Sequence, residues 1–203
     1  MADVPEKLKD LQQYGVEFVF RPCNLKSHGK YFFVLQEYPS KIVITMDDDI
    51  IYRKDAIGYL MKLHHQNPDA VCARLTRKII VKNGNVLPYK CWPLYTKIQL
   101  NCQQLALGVG GVLYPSKLFT NSPLFDIEKI KKYSFNADDL WLKTIELMLG
   151  VPVVSGDFES PDVALETSCI CGLSSENVAQ NANDMQWAAL DKVFGVNNLV
   201  KMK

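Results

Sequence analysis

KIVITMDDDIIY, residues 41–52, is the stretch of sequence that decides the fold. Its first half is apolar and rich in β-branched side chains, and three consecutive aspartates, Asp47, Asp48 and Asp49, follow directly. An apolar run of this kind predicts a strand that is buried on both faces, as in the parallel sheet of an α/β protein. The sequence therefore predicts a cluster of carboxylates at the carboxyl end of a central strand, which is where such sheets place their ligand crevices.

The three aspartates are typical of a cation site. Side chains alternate along a strand, so Asp47 and Asp49 point the same way, and Asp48 the opposite way, if the extended conformation continues. Carboxylates this close repel one another unless a cation or a basic group lies among them. We therefore expect a hard divalent metal ion and, with it, a phosphorylated ligand. The alternative is a solvated acidic turn that caps the next helix.

Length and composition predict an ordinary single domain over residues 1–203. The formal net charge of +1 gives no electrostatic argument for nucleic acid as a partner. No apolar run approaches the roughly 20 residues of a membrane span, and the N-terminus does not resemble a signal peptide. The six scattered cysteines are expected to be reduced. We expect a cytoplasmic protein, with peripheral association at the inner face of the plasma membrane as the alternative.

Helical and strand patterns alternate along the chain. This alternation predicts a three-layer α/β domain with a mostly parallel central sheet. Helices are predicted over residues 6–14, 30–38, 55–67 and 140–149, strands over 16–20, 42–46, 70–75 and 78–81, and a turn over 83–85.

Two irregular segments could contact a ligand. The segment from Leu107 to Val112 holds three glycines, which permit positive φ and a close approach of the backbone to a ligand. It is neither a GxGxxG motif nor a P-loop, and a plain turn or bulge is the alternative. The loop over residues 87–95 combines aromatic residues with two prolines. Its rings could stack on a sugar or a base, or they could pack in the core.

A second acidic site lies at Asp138 and Asp139, where the last predicted helix begins. Carboxylates are favoured at a helix N-terminus by capping and by the helix dipole, which is a purely structural explanation. The functional alternative is a general base, in which one carboxylate accepts a proton from an acceptor hydroxyl.

Together these features resemble the nucleotide-sugar glycosyltransferases with a GT-A fold, and among them the bacterial family-2-like enzymes of polysaccharide and lipopolysaccharide biosynthesis. The order of the segments makes the resemblance more specific than any one segment alone. The matching segments are SHGKY at residues 27–31, TMDDDIIY at 45–52, GVGGVLYP at 108–115, ADDLW at 137–141 and NDMQ at 183–186.

The resemblance implies roles for the aspartates. Asp47 and Asp49 match the DxD positions that bind Mg²⁺ or Mn²⁺, and Asp47 and Asp48 match positions that contact the donor ribose or phosphates. Asp139 matches the catalytic base, with Asp138 as its neighbour or substitute.

The resemblance also implies roles for residues outside the acidic clusters. His28 and Lys30 fall in the loop that contacts the nucleotide in such enzymes. The segment from Gly108 to Gly111 matches the lining of the acceptor and donor-sugar pocket, with Gly110 and Gly111 as the expected donor-binding residues.

The implied function is transfer of a sugar from a nucleoside diphosphate donor to a glycan or lipid-linked acceptor, with inversion at the anomeric carbon. Two departures from the family pattern are visible. The chain leads almost at once into the helix expected ahead of the third strand, so we expect the N-terminal strand, helix and strand to be missing. We expect an open sheet edge and self-association as the result. Histidine occurs only at positions 28, 64 and 65, so the late metal-binding histidine of many such enzymes is absent. The alternatives are a non-catalytic remnant that binds nucleotide sugars and a different metal-dependent phosphoryl-transfer enzyme.

Overall fold

A computed structural model of the chain describes residues 4–95, 97–156, 163–164 and 181–203. The α-helices are α1 Glu6–Lys9, α2 Gly29–Glu37, α3 Ala56–Gln66, α4 Ile127–Tyr133, α5 Asp138–Leu149, α6 Ala182–Phe194 and α7 Val196–Lys201. The 3₁₀ helices are Asp10–Tyr14, Lys26–His28, Tyr89–Cys91, Gly108–Gly110, Ser116–Phe119 and Pro123–Phe125. The strands are β1 Ile42–Thr45, β2 Ile50–Ile51, β3 Val71–Ala73, β4 Thr76–Lys78, β5 Val81–Lys82, β6 Asn85–Val86, β7 Leu94–Tyr95, β8 Gln99–Asn101, β9 Gln104–Ala106, β10 Val112–Pro115, β11 Val153–Ser155 and β12 Val163–Ala164.

A five-stranded sheet with the order β1-β10-β3-β11-β8 forms the middle layer of the domain. One face of the sheet packs on α3, where Leu60 and Leu63 meet Cys72, Leu113 and Val154. The other face belongs to a larger core to which α2 and α5 both contribute. That core includes Tyr31, Leu35, Val43, Val112, Leu140, Trp141, Ile145 and Val153. The domain is therefore a three-layer α/β structure, as the sequence predicts.

The prediction of a mostly parallel sheet is wrong. Among the described strands of this sheet, β3 and β11 are the only parallel pair, whereas β1 with β10, β10 with β3, and β11 with β8 are antiparallel. An apolar run shows that a strand is covered on its faces, but it does not show the direction of its neighbours. That direction depends on which distant segments pair.

β1 is the terminal strand of the sheet and not a central one. Its burial alternates accordingly: Val43 is 8% exposed, whereas Ile42 is 42% exposed. Residues 16–20, predicted as a strand, have no strand structure. A strand needs a hydrogen-bonding neighbour as well as β-forming residues, and propensity alone does not provide one.

Local signals predicted α2, α3 and α5 well, whereas α4, α6 and α7 were not predicted. α2 and α3 begin and end within about one residue of the predicted bounds, and α5 begins at Asp138, two residues ahead of its predicted apolar run. Gly150 ends α5 with φ of +70°, a left-handed conformation that glycine adopts without a steric penalty. The predicted turn at Asn83 and Gly84 joins β5 to β6, and both residues have positive φ.

The aromatic loop before β7 packs into the core at its centre. Trp92 is 1% exposed, and its ring nitrogen donates a hydrogen bond to the carbonyl oxygen of Leu87 at 2.7 Å. The Trp92 ring lies edge-on to the ring of Trp187 on α6. Of the two explanations for this loop, core packing accounts for Trp92.

Candidate active site

The aspartate run lies in a turn between β1 and β2. Extended structure ends before Asp47, and the turn is formed by Asp48 and Asp49. Asp48 is exposed, whereas Asp47 and Asp49 are half-buried. Asp48 thus differs in burial from Asp47 and Asp49, in line with the prediction that it points the opposite way. The chain turns here, however, where an extended strand was expected.

Tyr52 fixes the start of this turn. Its hydroxyl accepts a hydrogen bond from the backbone N–H of Asp47 at 2.8 Å and donates one to the carbonyl oxygen of Val109 at 3.1 Å. Val109 belongs to the glycine-rich segment between β9 and β10. One side chain thus joins the aspartate turn to the glycine segment.

Lys30, in the first turn of α2, reaches the same aspartate from the other side. Its Nζ donates to Oδ1 of Asp47 at 2.5 Å, and the two side chains are 30% and 19% exposed. Burial alone would lower the pKa of Lys30, but the negative charges of Asp138, Asp47 and Asp139 outweigh it and raise that pKa. Lys30 is therefore a charged ammonium group that lies between the aspartate turn and the pair Asp138 and Asp139.

The backbone of the glycine segment, residues 107–112, requires glycine at two positions. Gly111 has φ of +81°, and a Cβ atom added to Gly110 would lie 2.6 Å from Cβ of Leu75, closer than real Cβ contacts. The side chain of Arg74, which is 5% exposed, donates from Nη1 to the carbonyl oxygen of Gly110 at 3.1 Å. Gly110 is thus required by the close approach of Leu75, which lies between β3 and β4, and Gly111 is required by its positive φ. The segment that they form is joined to the aspartate turn through the Tyr52 hydroxyl.

Asp138 and Asp139 open α5, as the sequence predicts. The backbone N–H of Gly108 donates to Oδ1 of Asp139 at 3.1 Å. Loss of solvation raises the pKa of Asp139 well above its usual range, and the neighbouring Asp138 adds to this effect. Lys30 and the Gly108 N–H act in the opposite direction but do not cancel it.

Gly108 is the point at which the two acidic sites meet. A Cβ atom on Gly108 would lie 3.4 Å from Oδ1 of Asp139 and 3.5 Å from Nζ of Lys30. Because Lys30 also contacts Asp47, the strand-end and helix-opening carboxylates share one cation. The fold therefore brings together residues that lie about ninety positions apart in the chain.

His28 does not lie where the resemblance implied. It is 0% exposed, with Nδ1 at 2.7 Å from the Tyr31 hydroxyl and Nε2 at 2.8 Å from the carbonyl oxygen of Ser134. A carbonyl oxygen only accepts, so Nε2 donates to Ser134 and Nδ1 accepts from Tyr31. Burial lowers the pKa of His28, which favours this neutral form. His28 fixes the loop ahead of α5 and is too deeply buried to contact a nucleotide.

The NDMQ segment packs beside the second acidic site. Oε1 of Gln186 accepts from the backbone N–H of Asn136 at 3.2 Å, and Oδ1 of Asp184 accepts from the backbone N–H of Tyr89 at 2.7 Å. Oδ1 of Asn136 also accepts from Nζ of Lys26 at 2.6 Å. The N-terminal end of α6 is thereby connected to the residues just ahead of Asp138.

The donor set around the turn suits a hard cation that is only partly bound by protein. Asp47 and Asp49 are both accessible and offer carboxylate oxygens, which Mg²⁺ and Mn²⁺ prefer. Within the described ranges, no group of three or more His, Cys, Asp or Glu side chains is arranged to bind a metal ion. Such a cation would take its remaining ligands from phosphate and water, as Mg²⁺ sites commonly do.

Sequence reasoning missed Tyr52 and Arg74. Tyr52 stands directly after the DDDII run, so its position was visible, but its contact with Val109 spans 57 residues. The guanidinium of Arg74 lies 5.9 Å from the centre of the Tyr52 ring. The available signal for Arg74 was a positive charge directly after an apolar strand.

The fold and this site define an α/β enzyme domain in which strand-end carboxylates and helix-opening carboxylates meet across a glycine segment. Residues 2–114 match the family model described as Glycosyl transferase family 2. The match covers more than half of the 203 residues, so the chain belongs to glycosyl transferase family 2 and has its GT-A α/β fold. It is accordingly a glycosyltransferase of the nucleotide-sugar type. No curated protein matches the chain.

Two further findings bear on the class of protein. The family match includes the aspartate turn and the glycine segment and ends at Tyr114, ahead of Asp138 and Asp139. In the part of the chain that the structure describes, no helix is both long and apolar enough to cross a membrane.

Proposed function

We propose that the chain catalyses a metal-dependent, inverting transfer of a sugar from a nucleoside diphosphate donor to a glycan or lipid-linked acceptor, in the synthesis of a bacterial polysaccharide. The observation that carries this proposal is the meeting of Asp47, Lys30 and Asp139 around Gly108. A transfer enzyme needs a cation-binding group for the donor and a proton acceptor for the incoming hydroxyl within one cleft.

The aspartate turn is the proposed donor side. Asp47 and Asp49 would hold Mg²⁺ or Mn²⁺, and Asp48 would contact the ribose or phosphates. The bound cation would offset the negative charge that develops on the departing nucleoside diphosphate. The exposed position of Asp48 suits contact with a ligand arriving from solvent.

Asp139 is the proposed base. The acceptor oxygen bonds to the anomeric carbon while the bond from that carbon to the diphosphate oxygen breaks, and the electron pair leaves with the nucleoside diphosphate. The proton of the acceptor hydroxyl passes to the carboxylate of Asp139. A carboxylate with a pKa well above its usual range accepts a proton more readily than an ordinary aspartate does.

Lys30 and the glycine segment complete the proposed pocket. The ammonium of Lys30 lies beside Asp47 and is able to contact phosphate oxygens without a change in the backbone of α2. Gly110 and Gly111 are themselves buried, with Leu75 beside Gly110, so their proposed role is to hold the backbone of this segment in place beside the donor site.

Calorimetric titration of UDP, GDP, CDP and dTDP, each with and without Mn²⁺, tests the proposal. We expect one nucleotide to bind in a metal-dependent manner, and Asp49→Ala to weaken that binding by about ten- to hundredfold. Asp69→Ala is the matched control, because Asp69 is an exposed aspartate that pairs with Lys117 on the surface. Wild-type binding that does not depend on Mn²⁺ would refute the metal role, and the absence of any nucleotide binding would refute both the proposal and the alternative of a remnant that binds nucleotide sugars.

A further inference from the structure

The contact between Lys30 and Asp47 has a consequence for the order in which ligands bind. Oδ1 of Asp47 is the oxygen that Lys30 contacts, and Asp47 is also a proposed metal ligand. An ammonium ion and a divalent cation cannot both lie at full contact with one carboxylate without strong mutual repulsion. A metal ion that arrives alone must therefore either displace Lys30 from Asp47 or bind Oδ2 close to its positive charge.

A cation that arrives with a nucleoside diphosphate meets a different situation. The diphosphate brings negative oxygens of its own, which offer Lys30 a new partner when it leaves Asp47. A lysine side chain has a flexible four-carbon stem and three donors, so this exchange needs only side-chain rotation. The neighbouring Tyr31, Phe32 and Leu35 are buried in the core and hold the backbone of α2 in place.

We propose that Lys30 is a specificity-determining residue, which makes Asp47 reject a free divalent cation and accept one that is bound to a nucleoside diphosphate. The proposal rests on the proposed function, since it takes Asp47 as a metal ligand. Among the described residues, the proposed metal ligands are two carboxylates, and one of them already forms an ion pair with Lys30; the proposal explains this arrangement.

The surroundings of Lys30 support this role. Asp138 and Asp139 lie close enough to influence the charge of Lys30, so the ammonium stays in the cleft after it leaves Asp47. Gly108 leaves the space between Lys30 and Asp139 free of any side chain. Other basic residues near the turn differ from Lys30: Arg53 pairs with Asp55, Lys54 is exposed, and Arg74 donates to the carbonyl oxygen of Gly110.

Binding of Mn²⁺ alone, followed by the electron paramagnetic resonance signal of the free ion, tests the proposal without any catalytic assay. Lys30→Met and Lys30→Gln should bind Mn²⁺ about three- to tenfold more tightly than the wild type, since a competing ion pair is lost. Lys54→Met removes a positive charge from the same region and should leave the affinity unchanged. With the nucleotide present, both Lys30 variants should bind the metal more weakly than the wild type does.

A double-mutant cycle separates competition at Asp47 from a general change in charge. In an Asp47→Asn background, Lys30→Met should have no further effect on the affinity for Mn²⁺ alone. An unchanged affinity in both single Lys30 variants, or an equal gain in the Asp47→Asn background, would overturn the proposal. Failure of the proposed function would look different, because wild-type Mn²⁺ binding would then not respond to any of the four nucleotides.

Discussion

Removal of one oxygen atom, in Tyr52→Phe, should weaken the donor site while the fold remains intact. The backbone N–H of half-buried Asp47 loses its acceptor, and the carbonyl of Val109 loses its donor. A donor left without a partner costs about 1–3 kcal/mol when it is buried. The Val109 carbonyl lies at an exposed position and can turn to water. We therefore expect a loss of about 1–2 kcal/mol in the free energy of unfolding.

The larger effect should appear in ligand binding, because the Tyr52 hydroxyl joins the aspartate turn to the glycine segment. If the loss of this connection reduces the free energy of nucleotide binding by about 1.4 kcal/mol, the metal-dependent affinity for the nucleotide falls about tenfold. The assay is calorimetric titration of the responsive nucleotide in Mn²⁺, together with urea unfolding of each variant. Tyr95→Phe is the control, because Tyr95 lies in β7, in the smaller three-stranded sheet.

Two results would refute this reasoning. A Tyr52→Phe protein that loses stability but binds metal and nucleotide as the wild type does would show that the hydroxyl supports the fold alone. A protein unchanged in both measurements would show that water replaces the hydroxyl at no cost.

Two further predictions concern Asp139 and the glycines. Because the pKa of Asp139 is raised on folding, the native state keeps its proton to a higher pH than the unfolded chain does, and stability should fall as pH rises above about 4. Asp139→Asn should remove this dependence of stability on pH and raise the melting temperature at pH 8. An equal dependence on pH in the two proteins would contradict the raised pKa of Asp139. Gly110→Ala should cost about 1–3 kcal/mol in urea unfolding through its clash with Leu75. Gly58→Ala, in the open interior of α3, should instead stabilise by up to about 1 kcal/mol, so a loss of similar size in both would argue against the clash.

The helices α2, α3 and α5 could be predicted because their signals are local. Apolar residues at helical spacing define α3, and Pro68 follows just beyond its end. The acidic clusters were equally visible, since Asp47 and Asp139 stand next to a strand and at the start of a helix. In each case the deciding residues lie within about a dozen positions of one another.

Pairing between distant segments could not be predicted in the same way. The apolar run of β1 did not reveal that its neighbour is the antiparallel β10, about seventy residues on. The residues 16–20 have strand-forming side chains but no partner strand. Tyr52 was missed, and His28 was expected at the nucleotide, for the same reason. The partners that define their roles, Val109 and Ser134, lie far along the chain.

The three sequence motifs are, in physical terms, parts of one arrangement of charge. The glycine segment can lie against Leu75 only because Gly110 lacks a side chain, and the same segment donates the Gly108 N–H to Asp139. The same segment presents the Val109 carbonyl to the residue that holds the aspartate turn. The positive charge of Lys30 partly offsets the negative charges of Asp47, Asp138 and Asp139. A change at Gly110 should therefore disturb both acidic sites together, whereas a change at Asp49 should disturb the donor side alone.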